Sequence, residues 1–424
     1  MYGTIRAFMT TSEAQLQMTK VVIIGAGAAG LMAGGYASMY GADVTIFEKM
    51  HKVGRKLLIT GKGRCNLANL CDIQTFMQNV PVNSRFLYSA LNNFSPEDII
   101  AFFEGLGLKT KVERGNRVFP VSDRAMDVVD TMRSFALDNG CKIIHKPVVD
   151  VVSENGAVKG VVVEGKEVPC DSLIIATGGK SYHRTGSTGD GYKFAEKLGH
   201  TVTELRPSLI PLESPDEDCP RLQGLSLRNV RLRITESSGK EVFSDFGEML
   251  FTHFGISGPI VLSASCNMRD YTKGYTAHID LKPALSAEQL DSRLLRDFSE
   301  NINKAVSNSL SKLLPKKLIP VVLDRWGIDP YKKCNSITKK ERLSLLEILK
   351  DFTVEISNPR PIDEAIITSG GIKISEINPK TMESKLVKGL FFAGEIIDVD
   401  AYTGGFNLVI AWATGKLAGE NSIY

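Results

Sequence analysis

A short apolar run followed at once by closely spaced glycines constrains this chain more than any other feature. Val21–Ile24 consists only of β-branched residues, as in a strand that is buried on both faces. Gly25-Ala-Gly-Ala-Ala-Gly30 follows directly, Leu31–Tyr40 reads as a helix, and Asp43–Phe47 reads as a second strand. This order of strand, glycine-rich turn, helix and strand predicts a βαβ unit, and with it an α/β fold of Rossmann type.

The spacing of the glycines predicts a dinucleotide site at this turn. Gly25 permits the tight turn, Gly27 lets the backbone approach a pyrophosphate, and Gly30 lets helix and strand pack closely. The free amides at the start of the helix, at Ala28 and Ala29, and the positive end of the helix dipole favour bound phosphates.

An acidic residue ends the second strand. Glu48 lies 18 residues after Gly30, and Lys49 follows it. A carboxylate at this position can accept both hydroxyls of an adenosine ribose, and it repels a 2′-phosphate. The sequence therefore argues against NADP at this site.

Three further segments favour FAD over NAD. Gly389–Glu395 predicts a strand that ends in small residues and an acid, and Gly404–Leu408 opens the final helix. The N-terminus of that helix can face the flavin edge on which negative charge collects during reduction. Flavoproteins of the glutathione-reductase type use a segment like Gly389–Glu395 against the ribityl chain and the flavin. Ala176–Gly179, where a strand runs into a tight turn near the first glycine loop, is another flavoprotein sign.

Composition excludes several other classes of protein. The chain has 424 residues, 43% of them hydrophobic and 23% charged, which is typical of soluble globular proteins. A net charge of +3 over this length does not predict a nucleic-acid surface. Seven scattered cysteines without CxxC spacing predict a reducing, cytoplasmic location and no metal site, and we expect no membrane span. Residues 1–17 are predicted to be a disordered extension.

The chain resembles the BaiN-like, aminoacetone oxidase-like family of FAD-dependent oxidoreductases over nearly all of Lys20–Gly419. The segments that carry the resemblance are Gly54–Asn66 (GRKLLITGKGRCN), Ser181–Gly191 (SYHRTGSTGDG), Thr252–Pro259 (THFGISGP), Glu376–Glu383 (EINPKTME) and Gly394–Asn407.

The resemblance implies an α/β fold in which a Rossmann-like FAD-binding domain is interrupted by a β-barrel-like insertion, with a small helical subdomain inside the insertion. Changes in composition agree with it. We expect the FAD-binding domain at 18–204 and 377–424, the β-rich insertion at 205–284 and 353–376, and the helical subdomain at 285–352.

The basic segment after Gly54 is expected to serve the cofactor. Arg55, Lys56 and Arg64 can neutralise the pyrophosphate, Gly63 lets backbone amides reach it, and Asn66 can bond the flavin or its ribityl chain. The complete set of residues expected to contact FAD is Gly25, Gly27, Ala28, Ala29, Gly30, Glu48, Lys49, Arg55, Lys56, Gly63, Arg64, Asn66, Val149, Thr177, Gly178, Gly179, Gly394, Glu395, Asp398, Gly405, Phe406, Asn407 and Leu408.

Three side chains are candidates for proton transfer beside the flavin: His253, Tyr182 and Tyr402. Each has a structural alternative, in which the side chain only fixes a loop. The family resemblance implies hydride transfer between FAD and a small organic substrate, either a ketosteroid-like or bile-acid-like compound or an amine. NAD(P)H or O₂ is the expected electron partner. An RNA-modifying flavoprotein and a non-catalytic flavin-binding protein are the alternatives.

Overall fold

The computed structural model describes residues 18–424, so the predicted extension at 1–17 lies outside the described residues. Within 18–424 the chain forms nineteen strands: β1 (Lys20–Ile24), β2 (Asp43–Phe47), β3 (Ala68–Asn69), β4 (Thr110–Glu113), β5 (Arg117–Pro120), β6 (Lys142–Ile144), β7 (Val148–Glu154), β8 (Ala157–Val163), β9 (Lys166–Pro169), β10 (Ser172–Ile175), β11 (Arg206–Ser208), β12 (Leu212–Glu213), β13 (Ser226–Glu236), β14 (Glu241–Thr252), β15 (Gly255–Ser257), β16 (Tyr275–Asp280), β17 (Phe352–Ile356), β18 (Ile367–Ser369) and β19 (Leu390–Phe392).

The same residues form fourteen α-helices: α1 (Ala28–Met39), α2 (Arg55–Ile59), α3 (Ile73–Gln78), α4 (Tyr88–Asn93), α5 (Pro96–Gly105), α6 (Ala125–Asp138), α7 (Asp190–Lys197), α8 (Asp218–Leu222), α9 (Pro259–Ser265), α10 (Ala287–Glu300), α11 (Val306–Ser309), α12 (Leu318–Trp326), α13 (Lys339–Lys350) and α14 (Phe406–Asn421). No helix of this part of the chain has both the length and the apolar composition needed to cross a membrane.

A five-stranded parallel sheet with the order β19-β10-β1-β2-β6 forms the Rossmann-like part of the fold. Its central strand is apolar and buried along Val21–Ile24, which explains why the sequence shows a continuous rather than an alternating pattern. The predicted βαβ unit is confirmed, because α1 connects β1 to β2. Parallel strands bring their carboxyl ends to one edge, where the glycine-rich turn also lies.

Helices α1 and α14 approach each other through small residues. A Cβ added at Gly415 would lie 2.6 Å from the carbonyl oxygen of Ala29, and one at Gly419 would collide with the carbonyl oxygen of Ala33. Backbone therefore contacts backbone along this pair of helices. This packing fixes where α14 begins relative to the glycine-rich turn.

The insertion contains a six-stranded antiparallel sheet with the order β12-β15-β14-β13-β16-β17. The segment after β17 returns to the opposite edge, where the amide of Glu213 donates to the oxygen of Asn358 at 2.8 Å and the amide of Ser357 donates to Glu213 at 3.0 Å. Both edge strands are therefore joined through the chain, and the predicted barrel-like insertion is confirmed.

The four helices α10–α13 lie between β16 and β17 in the chain and complete the apolar core of the insertion. A capping box at Ser286–Gln289 begins α10, since Ser286 Oγ accepts from the amide of Gln289 and the Gln289 side chain accepts from the amide of Ser286. The residues at which one domain passes to the next stay a prediction.

Two further segments have local structure that bears on the site. The basic segment after Gly54 contains helix α2, which starts after Gly54 in the left-handed region and buries Leu57. Strand β18 is short and follows a 3-10 turn, which Pro361 and the Arg360–Glu364 ion pair of 2.7 Å accompany.

Changing Gly419 to Ala should destabilise the protein. The added methyl group has no space against the backbone of α1, so we expect the free energy of unfolding to fall by about 1–3 kcal/mol. Gly105→Ala is the matched control, since nothing lies within 4 Å of a Cβ at that helical position. Urea unfolding of both variants tests the contact, and equal midpoints would contradict it.

Candidate FAD and substrate site

One cavity of about 1110 Å³ extends from the glycine-rich turn after β1 to the antiparallel sheet of the insertion. This exceeds the roughly 300–1,000 Å³ of most ligand pockets. Gly25 and Gly27 line it in the Rossmann-like part, and Arg228 and Phe246 line it in the insertion. The cavity therefore has room for a dinucleotide and a second molecule.

The glycine-rich turn has the geometry that the spacing predicts. Gly25 has a φ of +102°, and a Cβ there would lie 2.7 Å from the carbonyl oxygen of Ala176. A Cβ at Gly30 would collide with the carbonyl oxygen of Gly25, so helix and strand meet without side chains between them. At Gly27 nothing lies within 4 Å of an added Cβ, and this backbone faces the open cavity.

The carboxylate of Glu48 is fixed beside this turn. Its Oε2 accepts from the amide of Ala26 at 2.8 Å, and its Oε1 accepts from the amide of Met50 at 2.9 Å. Each carboxylate oxygen keeps a further lone pair, and Glu48 lines the cavity. The residue can therefore still accept ribose hydroxyls, as expected.

Two buried polar atoms on the cavity wall have no partner among the described residues: Asn66 Oδ1 and Thr177 Oγ1. Buried polar atoms normally have a hydrogen-bond partner, so these two indicate a polar ligand in the cavity. The first amides of α14, at Phe406–Leu408, also line the cavity, and no side chain caps the helix at Gly405. These features fit FAD, and Asn66 and the first residues of α14 are candidates to hold it.

The structure brings most of the predicted cofactor residues to this cavity. Eighteen of them line it: Gly25, Gly27, Ala28, Ala29, Glu48, Lys49, Arg55, Lys56, Arg64, Asn66, Thr177, Gly178, Gly394, Glu395, Gly405, Phe406, Asn407 and Leu408.

Five predicted residues do not line the cavity. Gly30 packs beneath the turn, Gly63 is exposed, and Gly179 packs against Thr368 and Glu395. The Val149 side chain is 59% exposed, and its neighbour Val148 lines the cavity instead. Asp398 lies behind the wall, where its backbone oxygen accepts from Asn83, and burial raises its pKa.

The cations of the basic segment have other partners than the sequence suggests. Lys56 Nζ lies 2.6 Å from Glu395 Oε2 and 2.8 Å from Ser181 Oγ. Arg64 pairs with Glu113 at 2.7 Å. Arg55 forms no ion pair within residues 18–424, so it is the better candidate for the pyrophosphate, whereas Lys56 and Arg64 stabilise the walls.

The three candidates for proton transfer are separated in the structure. Tyr402 lines the cavity, and its hydroxyl accepts from Asn267 Nδ2 at 3.0 Å. His253 is exposed in the turn between β14 and β15, against the ring of Phe254, and is absent from the cavity wall. Tyr182 is also absent from the wall, although burial raises its pKa. Of the three candidates, Tyr402 is the one that lines the cavity.

Sequence reasoning assigned no role to a buried carboxylate next to Tyr402. Asp400 is 1% exposed, lines the cavity, and accepts hydrogen bonds from Ser208 and Ser369, both at 3.1 Å. Burial raises its pKa from 3.8 to about 6. Its two hydroxyl partners lie at distant sequence positions, so no local pattern indicates this environment.

The sequence profile of the HI0933-like protein Rossmann domain matches residues 19–421. The chain belongs to this family. The predicted relationship to FAD-dependent oxidoreductases is thereby confirmed: HI0933-like proteins bind FAD, and this chain is an FAD-dependent oxidoreductase.

Known members of similar length match almost end to end. The 3-dehydro-bile acid delta(4,6)-reductase of Clostridium scindens is 31% identical over 419 residues, which cover 95% of this chain and 98% of that protein. The ribosomal RNA dihydrouridine synthase of Haemophilus influenzae is 32% identical over 404 residues, or 94% and 97% of the two chains. The protein of the same name from Escherichia coli is 30% identical over 403 residues, or 95% and 97%.

A solved structure shares the fold at low identity. The 3-ketosteroid-delta4-(5alpha)-dehydrogenase of Rhodococcus jostii RHA1, in complex with 4-androstene-3,17-dione, has a TM-score of 0.52 and 14% identity, and the match covers 97% of this chain and 99% of that chain. This likeness supports the two-part architecture of an HI0933-like flavoprotein.

Replacing Gly27 by Trp should remove FAD without unfolding the protein. The indole would enter the open space that the pyrophosphate needs. We expect a colourless protein with an unchanged circular dichroism spectrum, measured against the yellow wild type. Gly105→Trp, at an open helical position far along the chain, is the control and should keep its flavin. A yellow Gly27→Trp protein would refute the assignment of this turn.

Proposed function

We propose that this HI0933-like protein reduces a carbon–carbon double bond that is conjugated to a carbonyl group. The names of its relatives support this reaction, since one is a delta(4,6)-reductase of a 3-dehydro-bile acid and two make dihydrouridine. A 3-oxo-Δ4 steroid ring and a uracil ring share the same arrangement, an alkene next to a carbonyl. Neither name describes oxidation of an amine.

The shape of the cavity is the observation that carries the proposal. It continues from the FAD motif to a wall of apolar side chains on the insertion and around β18, where Phe246, Leu262 and Ile366 lie. Such a wall excludes water and can hold a flat unsaturated ring. Bound FAD supplies a hydride donor when it is reduced.

Reduction of the conjugated bond also needs a proton at the carbon next to the carbonyl. Tyr402 is in place to give it, because its hydroxyl accepts from Asn267 and so keeps its own proton free to donate. Burial raises the pKa of Tyr402, which keeps the phenol protonated at neutral pH. The side chain is further held by the edge of the Phe243 ring, with centroids 6.3 Å apart.

Asn407 and Asp400 both act on Tyr402, the first through hydrogen bonds to its backbone segment and the second through its charge. Asn407 accepts from the amide of Ala401 at 3.0 Å and donates to the oxygens of Ala401 and Tyr402, so it fixes the segment that carries the tyrosine. The negative charge of ionised Asp400 raises the pKa of Tyr402 further, after the effect of burial. Asp400 is therefore a positioning group for the acid.

A uridine in RNA is the second candidate substrate. The near-neutral charge of the chain did not predict a nucleic-acid partner, but two relatives carry the name of a ribosomal RNA enzyme. The cavity wall also has arginines that form no ion pair within residues 18–424. Both candidate substrates would present the same reducible group.

Half-reactions under argon test the proposal. Reduced holoenzyme should regain the oxidised flavin spectrum when a 3-oxo-Δ4,6 bile acid or a uridine-containing ribosomal RNA fragment is added, and the product should be heavier by one H₂. If neither compound reoxidises the flavin while aminoacetone bleaches the oxidised enzyme, the reaction is amine oxidation instead. Bleaching of the oxidised flavin by NADH or NADPH identifies the hydride donor that reduces the enzyme. If neither nucleotide bleaches the flavin, a nicotinamide-linked reductase is excluded.

Changing Tyr402 to Phe should lower kcat by about 10²–10⁴-fold, the usual contribution of a positioned general acid. The ring and its contact with Phe243 remain, so KM and flavin content should change little. Asn267→Ala tests the hydroxyl's orientation and should lower kcat less than Tyr402→Phe. Wild-type kcat in the Phe variant would show that the proton comes from another group.

A further inference from the structure

Three arginines of the cavity wall have no acidic partner among residues 18–424. Arg114, Arg117 and Arg228 line the cavity, and none of them lies within 4.0 Å of a carboxylate of residues 18–424. Some cations of the wall are neutralised, as Lys49 is by Asp190 at 2.6 Å. The wall cations without a carboxylate partner within residues 18–424 are Lys52, Arg55, Lys62, Arg114, Arg117 and Arg228, and the wall carboxylates without a cation partner there are Glu48, Glu248 and Asp400.

Two of the arginines come from one tight turn. The connection between β4 and β5 reverses at Gly115 and Asn116, with φ values of +77° and +57°. Asn69 Nδ2 donates to the oxygens of Gly115 and Gly404, both at 3.0 Å. The turn is therefore tied to the loop directly in front of α14, at the flavin end of the cavity.

Arg117 is held with its terminal nitrogens free. Its Nε donates to the oxygen of Arg114 at 3.0 Å, and its guanidinium carbon lies 5.9 Å from the centre of the Phe119 ring. Arg64 lies on the same ring at 4.0 Å, but Glu113 already binds it. The terminal nitrogens of the planar Arg117 guanidinium are thus free to donate two parallel hydrogen bonds, a geometry that matches the oxygens of a carboxylate or a phosphate.

Arg228 lines the same cavity from the insertion. It lies in an irregularity of β13 between Leu227 and Val230, where the pairing with β14 shifts, and such bulges redirect side chains. Gly247 of β14, across from Val230, packs against Ile260 of α9. That helix also meets the loop before α14, since the hydroxyls of Ser263 and Thr403 are 3.4 Å apart.

These arginines are distant from the place where the pyrophosphate binds. Gly415 of α14 packs against Ala29 at the start of α1. Phe406, the first residue of α14, is nine residues earlier, or about 14 Å along the helix axis at 1.5 Å per residue. The phosphates are expected at the start of α1, beside Gly415. The turn with Arg117 is instead bonded through Asn69 to the loop in front of α14, at the opposite end of that helix from Gly415.

We propose that Arg114, Arg117 and Arg228 form an oxyanion subsite, which binds a carboxylate or phosphate of the substrate while the reducible ring lies against the flavin. The inference rests on the proposed function, since it assigns the substrate of the same cavity an anionic group. A bile acid offers a carboxylate, and a nucleotide offers a phosphate, so the chemistry is shared by both candidate substrates.

Binding titrations of the oxidised holoenzyme separate these sources. The probes are two matched pairs: a 3-oxo-Δ4,6 bile acid with its methyl ester, and uridine 5′-monophosphate with uridine. The shift of the flavin spectrum gives each Kd without turnover. In at least one pair, we expect the charged member to bind about tenfold to a hundredfold more tightly, and the pair that shows this identifies the source of the anion.

The double variant Arg117→Ala/Arg228→Ala should lose this preference and keep its FAD. Arg231→Ala is the matched control, because Arg231 lies on the same strand, is exposed and is outside the cavity wall. Equal binding within both pairs in the wild type, no binding of any probe, or a preference that survives in the double variant would overturn the proposal. Slower bleaching by NADPH but not by NADH in the variant, without a change in probe binding, would assign the arginines to the donor and also overturn it.

Because no turnover is needed, failure of the two proposals can be told apart. A charged-group preference that depends on the arginines, in an enzyme that does not reduce either compound, keeps the subsite and refutes the reductase. An enzyme that reduces one of the compounds but binds both members of each pair equally would keep the reductase proposal and refute the subsite.

Discussion

Contact between backbones at the start of α1 determines the arrangement of the whole site. Gly30 lies against the carbonyl of Gly25, Gly25 lies against Ala176, and Gly415 lies against Ala29. A side chain at any of these glycines would separate the segments. Since they touch, the turn after β1, the turn after β10 and the helix α14 surround one cavity, and the cofactor can bind across all three.

The insertion supplies the wall that the Rossmann-like part lacks. Its sheet is joined edge to edge through Glu213 and the segment after β17, so α9 and the β13–β14 pair have fixed positions. The loop in front of α14 is held between the two parts: Asn69 binds it from one side, and Asn267 and Ser263 bind it from the other. Tyr402 lies in this loop, and any shift between the parts would move it.

Local signals predicted the Rossmann-like part and FAD as the cofactor. The strand, turn and helix around Gly25–Gly30 follow from residues close in sequence, and so does the capping box at Ser286. The partners of charged side chains did not follow, because Lys56 meets Glu395 and Asp400 meets Ser208 across long stretches of chain. The exposure of His253 did not follow either: its neighbourhood resembles a family motif, but only the fold decides whether a turn faces the cavity or solvent.

Ion pairs with carboxylates distinguish the cations that stabilise the cavity wall from the cations that remain available to a ligand. Lys49, Lys56 and Arg64 each have a carboxylate within 3 Å, so their charges hold walls together and offer little to an incoming anion. Arg117 and Arg228 have none within residues 18–424, and both line the same cavity. An unpaired arginine is stabilised when an oxyanion arrives. The glycine motif is therefore the basis for expecting the cofactor in this cavity, and the unpaired arginines, contributed by different parts of the chain, are the basis for the proposed oxyanion subsite.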